Sequence, residues 1–314
     1  MAKEKKKKSL VLKVIVTILI ILIVLAIAIG IYVFSKVNSL SNAIHNPLDR
    51  DKSELRKKPV GDGDPVSIVI YGIDEDAKRK QQNLGQRTDS IVMMSINPKD
   101  HKTVMVSVPR DTRAKIVGRG TTEKINHAYA YGGPDMAVKS LEELTNVPVD
   151  HYAAINMDGV KSVVDDLGGV DITSNATFNF HGYQFNKGQK YHMNGDKALT
   201  YMRSREQEGA GGDSGRQLRQ QQVIEVVAKD GLQLGSLTKI DGIFKAAEDN
   251  VKTDLSLTQL NKMRENYNDT QDNVKLYTIQ GENKVGNDNL WYFYPDDNSL
   301  NDVCLLYTSD AADD

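Results

Sequence analysis

The chain has 314 residues, with 40 basic and 42 acidic side chains, a formal charge of −2 and one cysteine. That length accommodates one large domain or two small ones, and the near-neutral balance argues against a general nucleic-acid binder. A single cysteine excludes an internal disulfide framework and a cysteine-based zinc site, and the six histidines show no HxxxH or HExxH spacing.

In chain order the first feature is uneven charge. Lys3, Lys5, Lys6, Lys7, Lys8 and Lys13 stand against Glu4 up to Phe34, which leaves 34 basic and 41 acidic residues beyond. Val14–Phe34 runs 21 residues without a charge. At ~1.5 Å per residue such a helix covers ~30 Å, the thickness of a bilayer's hydrocarbon core. A cleaved signal peptide is the rival, but its apolar region is shorter, ~7–15 residues, and ends at a small-residue cleavage site. The expectation is one N-terminal transmembrane helix over 14–34. Residues 1–13 form a cytoplasmic basic tail, because positive charge stays inside, and everything after Phe34 is extracellular. Residues 35–64, polar and carrying the turn-rich PVGDGDP, read as a stalk.

Val66–Ile70, Ile91–Ile96 and Thr103–Val108 are apolar runs bounded by turns, and NPKDHK between the last two predicts a hairpin. Tyr152–Ile155, Gly169–Ile172 and Lys275–Ile279 are further strand candidates. Helices are predicted over 135–145, 158–167 (stopped by Gly168-Gly169), 194–202, 215–229, 235–250 and 257–267. This order predicts one α/β domain over 65–302, with three layers, α-β-α, around a central mixed sheet. The end, CLLYTSDAADD, resembles a translated sequencing adaptor, so 303–314 is set aside as foreign to the fold.

Three polar groups sit at strand ends: YGID (71–74), QRTDS (86–90) and SVPRDT (107–112). If the first and third strands are parallel and the second runs back, Asp74, Arg87, Asp89, Arg110 and Asp111 converge at one sheet edge, where α/β folds place ligands. Two carboxylates beside arginines suit Mg²⁺ bound with phosphate, since Mg²⁺ takes one or two carboxylates and completes its shell with water and phosphate oxygens. Arginine supplies fork-shaped donors to phosphate. The alternative use of Asp74 and Asp89 is turn capping, with Arg110 paired to Asp111. Further on, Arg203 and Arg205 precede a glycine-rich loop, EQEGAGGDSG, and Arg216, Arg219 and Gln220 follow it on one predicted helical face. Cations at a helix N-terminus are favourable only if an anion joins them. A solvated basic surface is the bland alternative, although four arginines without lysine favour bidentate contacts. If the ligand carries a polyprenyl tail, Val160, Val163, Val164, Leu167, Val223, Ile224 and Val227 could line a pocket for it or simply form core.

YGID, QRTDS, SINPK, SVPRDT, KINHAYAYGG, DLGGVDI, MNGDKALTYMRSR and DSGRQLRQQ occur in that order, and together they resemble the LytR–CpsA–Psr family of cell-wall glycopolymer ligases. The resemblance implies transfer of a teichoic acid, capsular or similar polymer from an undecaprenyl-pyrophosphate carrier to the C6 hydroxyl of N-acetylmuramic acid in peptidoglycan. It implies metal ligation of Mg²⁺ (or Mn²⁺) by Asp74 and Asp89. It implies phosphate contacts from Arg87, Arg110, Lys124, Arg203, Arg205, Arg216, Arg219 and Gln220, with Arg205, Arg110 and Asp89 closest to catalysis. Asp111 and Asp213 would orient arginines. A hydrolytic pyrophosphatase, a transcriptional attenuator and a non-catalytic wall-polymer binder are the other functions weighed. The attenuator needs DNA contact, which an acidic extracellular domain does not offer.

Overall fold

The computed structural model describes residues 43–74, 86–232, 250–267 and 273–308. The segment Val14–Phe34, and the helix expected over 235–250 except for its last residue, lie outside these. Among the described residues no helix is long and apolar enough to cross a membrane.

The strands, in order, are β1 (Val66–Asp74), β2 (Arg87–Asn97), β3 (Lys102–Val108), β4 (Arg113–Ile116), β5 (Thr121–Lys124), β6 (His151–Asn156), β7 (Val170–Thr173), β8 (Phe178–Phe180), β9 (Tyr183–Phe185), β10 (Lys190–Met193), β11 (Val251–Thr253), β12 (Val274–Thr278), β13 (Gly281–Val285) and β14 (Trp291–Pro295). The helices are α1 (His127–Thr145), α2 (Met157–Leu167), α3 (Gly195–Arg203), α4 (Gly212–Leu232), α5 (Leu257–Asn266) and α6 (Asp297–Thr308).

The central sheet is mixed, in the order β11-β6-β1-β2-β3-β12. β2 runs against β1 and β3, whereas β6 and β12 run parallel to their neighbours β1 and β3. Alternation along the strands gives the sheet two apolar faces. Val69, Tyr71, Ile91, Met93, Val104 and Val106 face α1, and bury Val138 and Leu141 of that helix. Each such burial contributes about 1.5–3 kcal/mol. Ile70, Val92 and Met105 point the other way, towards Ile224 of α4. Helices on both faces thus give the expected α/β sandwich. Within α1, Gly132 (φ −141°, ψ 22°) and Gly133 (φ 62°, ψ −155°) are non-helical, so a short segment from His127 ends there and the longer helix starts at Pro134, as the expected helix over 135–145 requires. It ends at Asn146 in the left-handed conformation, φ 52°, which asparagine tolerates better than most residues.

Four readings of the sequence change or narrow. Gly169–Ile172 was expected as a sheet strand. It is β7, and it pairs with β10 outside the main sheet, because β11 takes the place beside β6. Residues 44–64 are not a free stalk. Ile44 and Leu48 are buried, and Arg50 and Ser53 both bond Glu142, at 2.7 and 2.6 Å. Arg56 bonds Asp150 at 2.7 Å. The domain therefore starts some twenty residues before the first strand. Of the supposed tail pocket, Val160, Val164 and Val223 are closed core, packed with Phe178, Phe185 and Tyr201. At the other end, α6 continues through the segment expected as foreign to Thr308 and buries Val303 against the face that carries α1.

Candidate functional site

β1 and β3 end at the same sheet edge, and β2 begins there. β1 and β2 pair residue for residue from Val66↔Ile96 to Gly72↔Ser90, and then the register slips to Ile73↔Thr88 and Asp74↔Arg87. Asp89 is therefore the extra residue of a β-bulge. A bulge re-aims side chains and bends the strand next to it, and this one turns Asp89 towards the chain leaving β3. There Pro109 O accepts a bond from the Thr112 amide at 3.0 Å, and Arg110 O accepts one from the Asn126 amide at 3.2 Å. The turn holding Arg110 and Asp111 is thus fixed by main-chain bonds.

The side chains close a chain of alternating charge. Arg110 Nη1 lies 2.5 Å from Asp89 Oδ1, and Arg110 Nε lies 3.7 Å from Asp111. Asp111 accepts Lys124 of β5 at 3.0 Å. Asp213, in the first turn of α4, holds Arg205 at 3.1 Å and is also bonded by Arg216. The two groups are near enough to perturb each other. Burial works against the charge of Arg110, but Asp89 and Asp111, with Asp213, more than offset it and raise its pKa. Arg216 moves the other way, lowered first by burial and then by Arg110, with Asp213 and Asp89 only partly compensating. A buried guanidinium held below its ordinary value is one whose surroundings lack negative charge.

The Nε atoms of Arg110 and Arg216, and Gln220 Oε1, are buried without a hydrogen-bond partner among the described residues. An unsatisfied buried donor costs about 1–3 kcal/mol; the two Nε–H groups suit an anion as acceptor, whereas Gln220 Oε1, itself an acceptor, suits a hydroxyl or another donor. Asp89 spends one oxygen on Arg110, and the backbone register sets Asp74 two residues from it. A carboxylate or two beside unsatisfied arginines fits a hard cation completed by phosphate oxygens. The Asp74 side chain itself lies outside the described atoms, and among the described residues no group of three or more acidic, His or Cys side chains forms a metal cage.

The other expected residues differ in burial. Arg87 is exposed at the start of β2 and acts on His127, whose pKa is lowered first by burial, while Glu123 beside it works in the opposite sense. Arg203 is exposed in the last turn of α3. Arg219 turns away from the cleft. It is fully buried, and donates to the carbonyls of Tyr201 (3.1 Å), Ala210 (2.8 Å) and Ser204 (2.6 Å). Its guanidinium also lies 4.9 Å from the Phe178 ring centroid. Burial lowers its pKa to about 10. Arg219 thus latches the glycine-rich loop instead of meeting phosphate. Gly215 packs so closely that a Cβ there would meet Ala210 O at 2.1 Å. The sequence also did not single out the Glu123–His127 bond of 3.0 Å, although the i, i+4 spacing was its one signal.

The sequence profile described as the LytR_cpsA_psr family matches residues 31–305. The chain is similar, at 41% identity over 83% of its length and 85% of the relative's, to a protein of Halalkalibacterium halodurans named polyisoprenyl-teichoic acid–peptidoglycan teichoic acid transferase TagU. Among solved structures it resembles B. subtilis TagU, with TM-score 0.62 and 36% identity over 79% of this chain and 96% of that one. It also resembles TagT bound to LIIa-WTA, with TM-score 0.69 and 27% identity over 85% of this chain and all of the other.

Proposed function

The chain belongs to the LytR–CpsA–Psr family, and from that premise we propose that it transfers a teichoic-acid-type glycopolymer from a polyprenyl-diphosphate carrier to peptidoglycan. The observation that carries this is the pairing of Arg110, half-buried and held by Asp89, with Arg216, buried and held by Asp213, each with an unsatisfied Nε. The relatives named as transferases act on the same substrate class. The extracellular placement, with a single cytoplasmic-N-terminal anchor over 14–34, belongs to the same proposal.

In such a transfer the hydroxyl of the acceptor sugar attacks the phosphorus bonded to the polymer, a phosphodiester forms, and polyprenyl phosphate departs. Phosphoryl transfer asks little covalent chemistry of a protein; positioning and charge neutralisation do most of the work. Arg110, braced by Asp89 and Asp111, and Arg216, braced by Asp213, hold the diphosphate in a fixed orientation. Arg205 completes the grip from the opposite strand of the loop. Lys124 adds charge at the rim while held by Asp111. Mg²⁺ or Mn²⁺, held by Asp89 with Asp74, would supply further neutralisation of the diphosphate oxygens.

The test is reconstitution of the full chain with lipid-linked polymer, with and without peptidoglycan oligomers. Polymer should appear on the oligomers, and little should be released without them. Release at equal rate in both cases would establish a hydrolase instead.

A further inference from the structure

We propose that the β13–β14 hairpin is a membrane finger, whose tip seats Val285, Leu290 and Trp291 in the headgroup region of a bilayer. These three side chains are 52%, 52% and 62% exposed. Val285 and Trp291 are register partners, so their side chains share one face of the hairpin. Large apolar groups clustered at an exposed tip mark a contact surface rather than a packing accident.

The tip is built, not slack. The Gly286 amide donates to Leu290 O at 2.8 Å and the Asn289 amide to Gly286 O at 3.0 Å. Asp288 accepts from the Leu290 amide at 3.1 Å and from Tyr292 Oη at 2.5 Å. Asn289 takes the left-handed conformation, φ 61°, as asparagine readily does. The one acid of the tip is thus spent on local bonds, and the apolar groups are held outward.

Placement supplies the second argument. β12 runs parallel to β3, and the Ile279 amide bonds Ser107 O at 3.1 Å. The chain therefore leaves the sheet at the edge that carries Arg110. The middle of β14 is tied to the site, because the Phe293 amide donates to Asp111 O at 2.9 Å. From there the two residues back to Trp291 carry the tip about 7 Å further, at ~3.3 Å per residue. The N-terminal connection arrives from the same side. β11 descends from that edge against β6, and His45 bridges Thr253 in parallel. Traced backward, the chain at Ile44 therefore heads towards the edge where the site lies.

The occupant is a lipid surface rather than a sugar or a second copy. Leu and Val offer nothing to sugar hydroxyls, whereas tryptophan beside aliphatic side chains is the composition of membrane interfaces. Three side chains also fall far short of the roughly 800 Å² per partner that a stable dimer needs. The inference rests on the transfer function for its purpose, since a diphosphate tethered to lipid is reachable only at the bilayer.

Trp291 is the chain's single tryptophan, so the full chain reports on itself. Reconstituted in phosphatidylglycerol-containing vesicles, it should show blue-shifted emission, quenching by lipids brominated on the acyl chain, and resistance to iodide. Leu290→Asp should abolish the bromolipid quenching. It should also slow transfer from bilayer-held substrate at least tenfold, while leaving activity on a short-chain, water-soluble diphosphate unchanged. Water-like emission with iodide quenching overturns the proposal. So does a shift that requires peptidoglycan fragments, or one that follows protein concentration. Bromolipid quenching without any transfer activity would retain the finger and reject the transferase.

Discussion

Arg110 Nη1 lies 2.5 Å from Asp89 Oδ1, joining the turn after β3 to the bulge of β2. The pair is partly exposed, with side-chain exposures of 21% and 25%, so its contribution to stability is small and its value lies in orientation. Arg110→Ala should lower transfer by about 10²–10³-fold, the usual loss when one preorganised donor to a developing charge is removed. Thermal melting should confirm that the fold is intact. A variant with normal turnover would remove Arg110 from the site.

Arg216 offers a sharper comparison. Lysine keeps the charge but loses the fork that meets Asp213 on one side and a ligand on the other. Arg216→Lys should therefore remain folded and lose activity, by roughly tenfold or more, with Arg216→Ala worse. Steady-state kinetics of the two variants side by side would show it. Full activity in the lysine form would mean that point charge alone suffices.

Arg219 should behave in the opposite way. Its removal leaves three main-chain carbonyls and a stacked ring without their partner. Arg219→Ala should cost about 3 kcal/mol or more, which in a domain of this size lowers the melting temperature by ~6–12 °C. A melting curve matching wild type would show that the loop does not depend on this latch.

Glu142 gives the N-terminal strap its hold. It accepts from Arg50, Ser53 and the Val149 amide while nearly buried. Glu142→Ala leaves Arg50 half-buried and unpaired, a change of about 3–5 kcal/mol. Limited proteolysis should then cut between residues 44 and 64 before the rest of the domain. Unchanged cleavage would mean that the strap is held elsewhere.

His192 gives a pH-dependent contact at the surface. Its pKa is raised by Asp171 first and then by the Gly168 carbonyl. A histidine whose folded pKa is raised stabilises the fold below its unfolded value, and that contribution fades as pH rises through the folded pKa. The pair is exposed, so the effect is small: the urea midpoint should fall slightly as pH rises above the ordinary histidine range, and Asp171→Asn should flatten that drift. NMR titration of the imidazole would show directly whether it titrates above the ordinary histidine value.

The parts legible in the sequence were those with local punctuation. β1, β2 and β3 are apolar runs between turns, and their ends carried the polar groups, so the meeting of Asp89 with Arg110 followed from strand direction alone. Arg219 was not legible. Its spacing puts it on the face of Arg216, but the rings of Phe178 and Tyr201 and three carbonyls lie where helical spacing gives no hint. Nor was β7, since Gly169–Ile172 looks like any sheet strand until β11 is seen beside β6. The strap was hidden by its polarity: Arg50 and Arg56 read as solvated charges until Glu142 and Asp150 are found opposite. The bulge at Asp89 is a one-residue event with no compositional trace.

The latch formed by Arg219 has a consequence for what the loop tolerates. A loop pinned through carbonyls is shaped by the backbone, and is indifferent to the side chains it displays. Substitutions of exposed side chains along the loop should therefore leave its path unchanged, whereas loss of the one guanidinium should not.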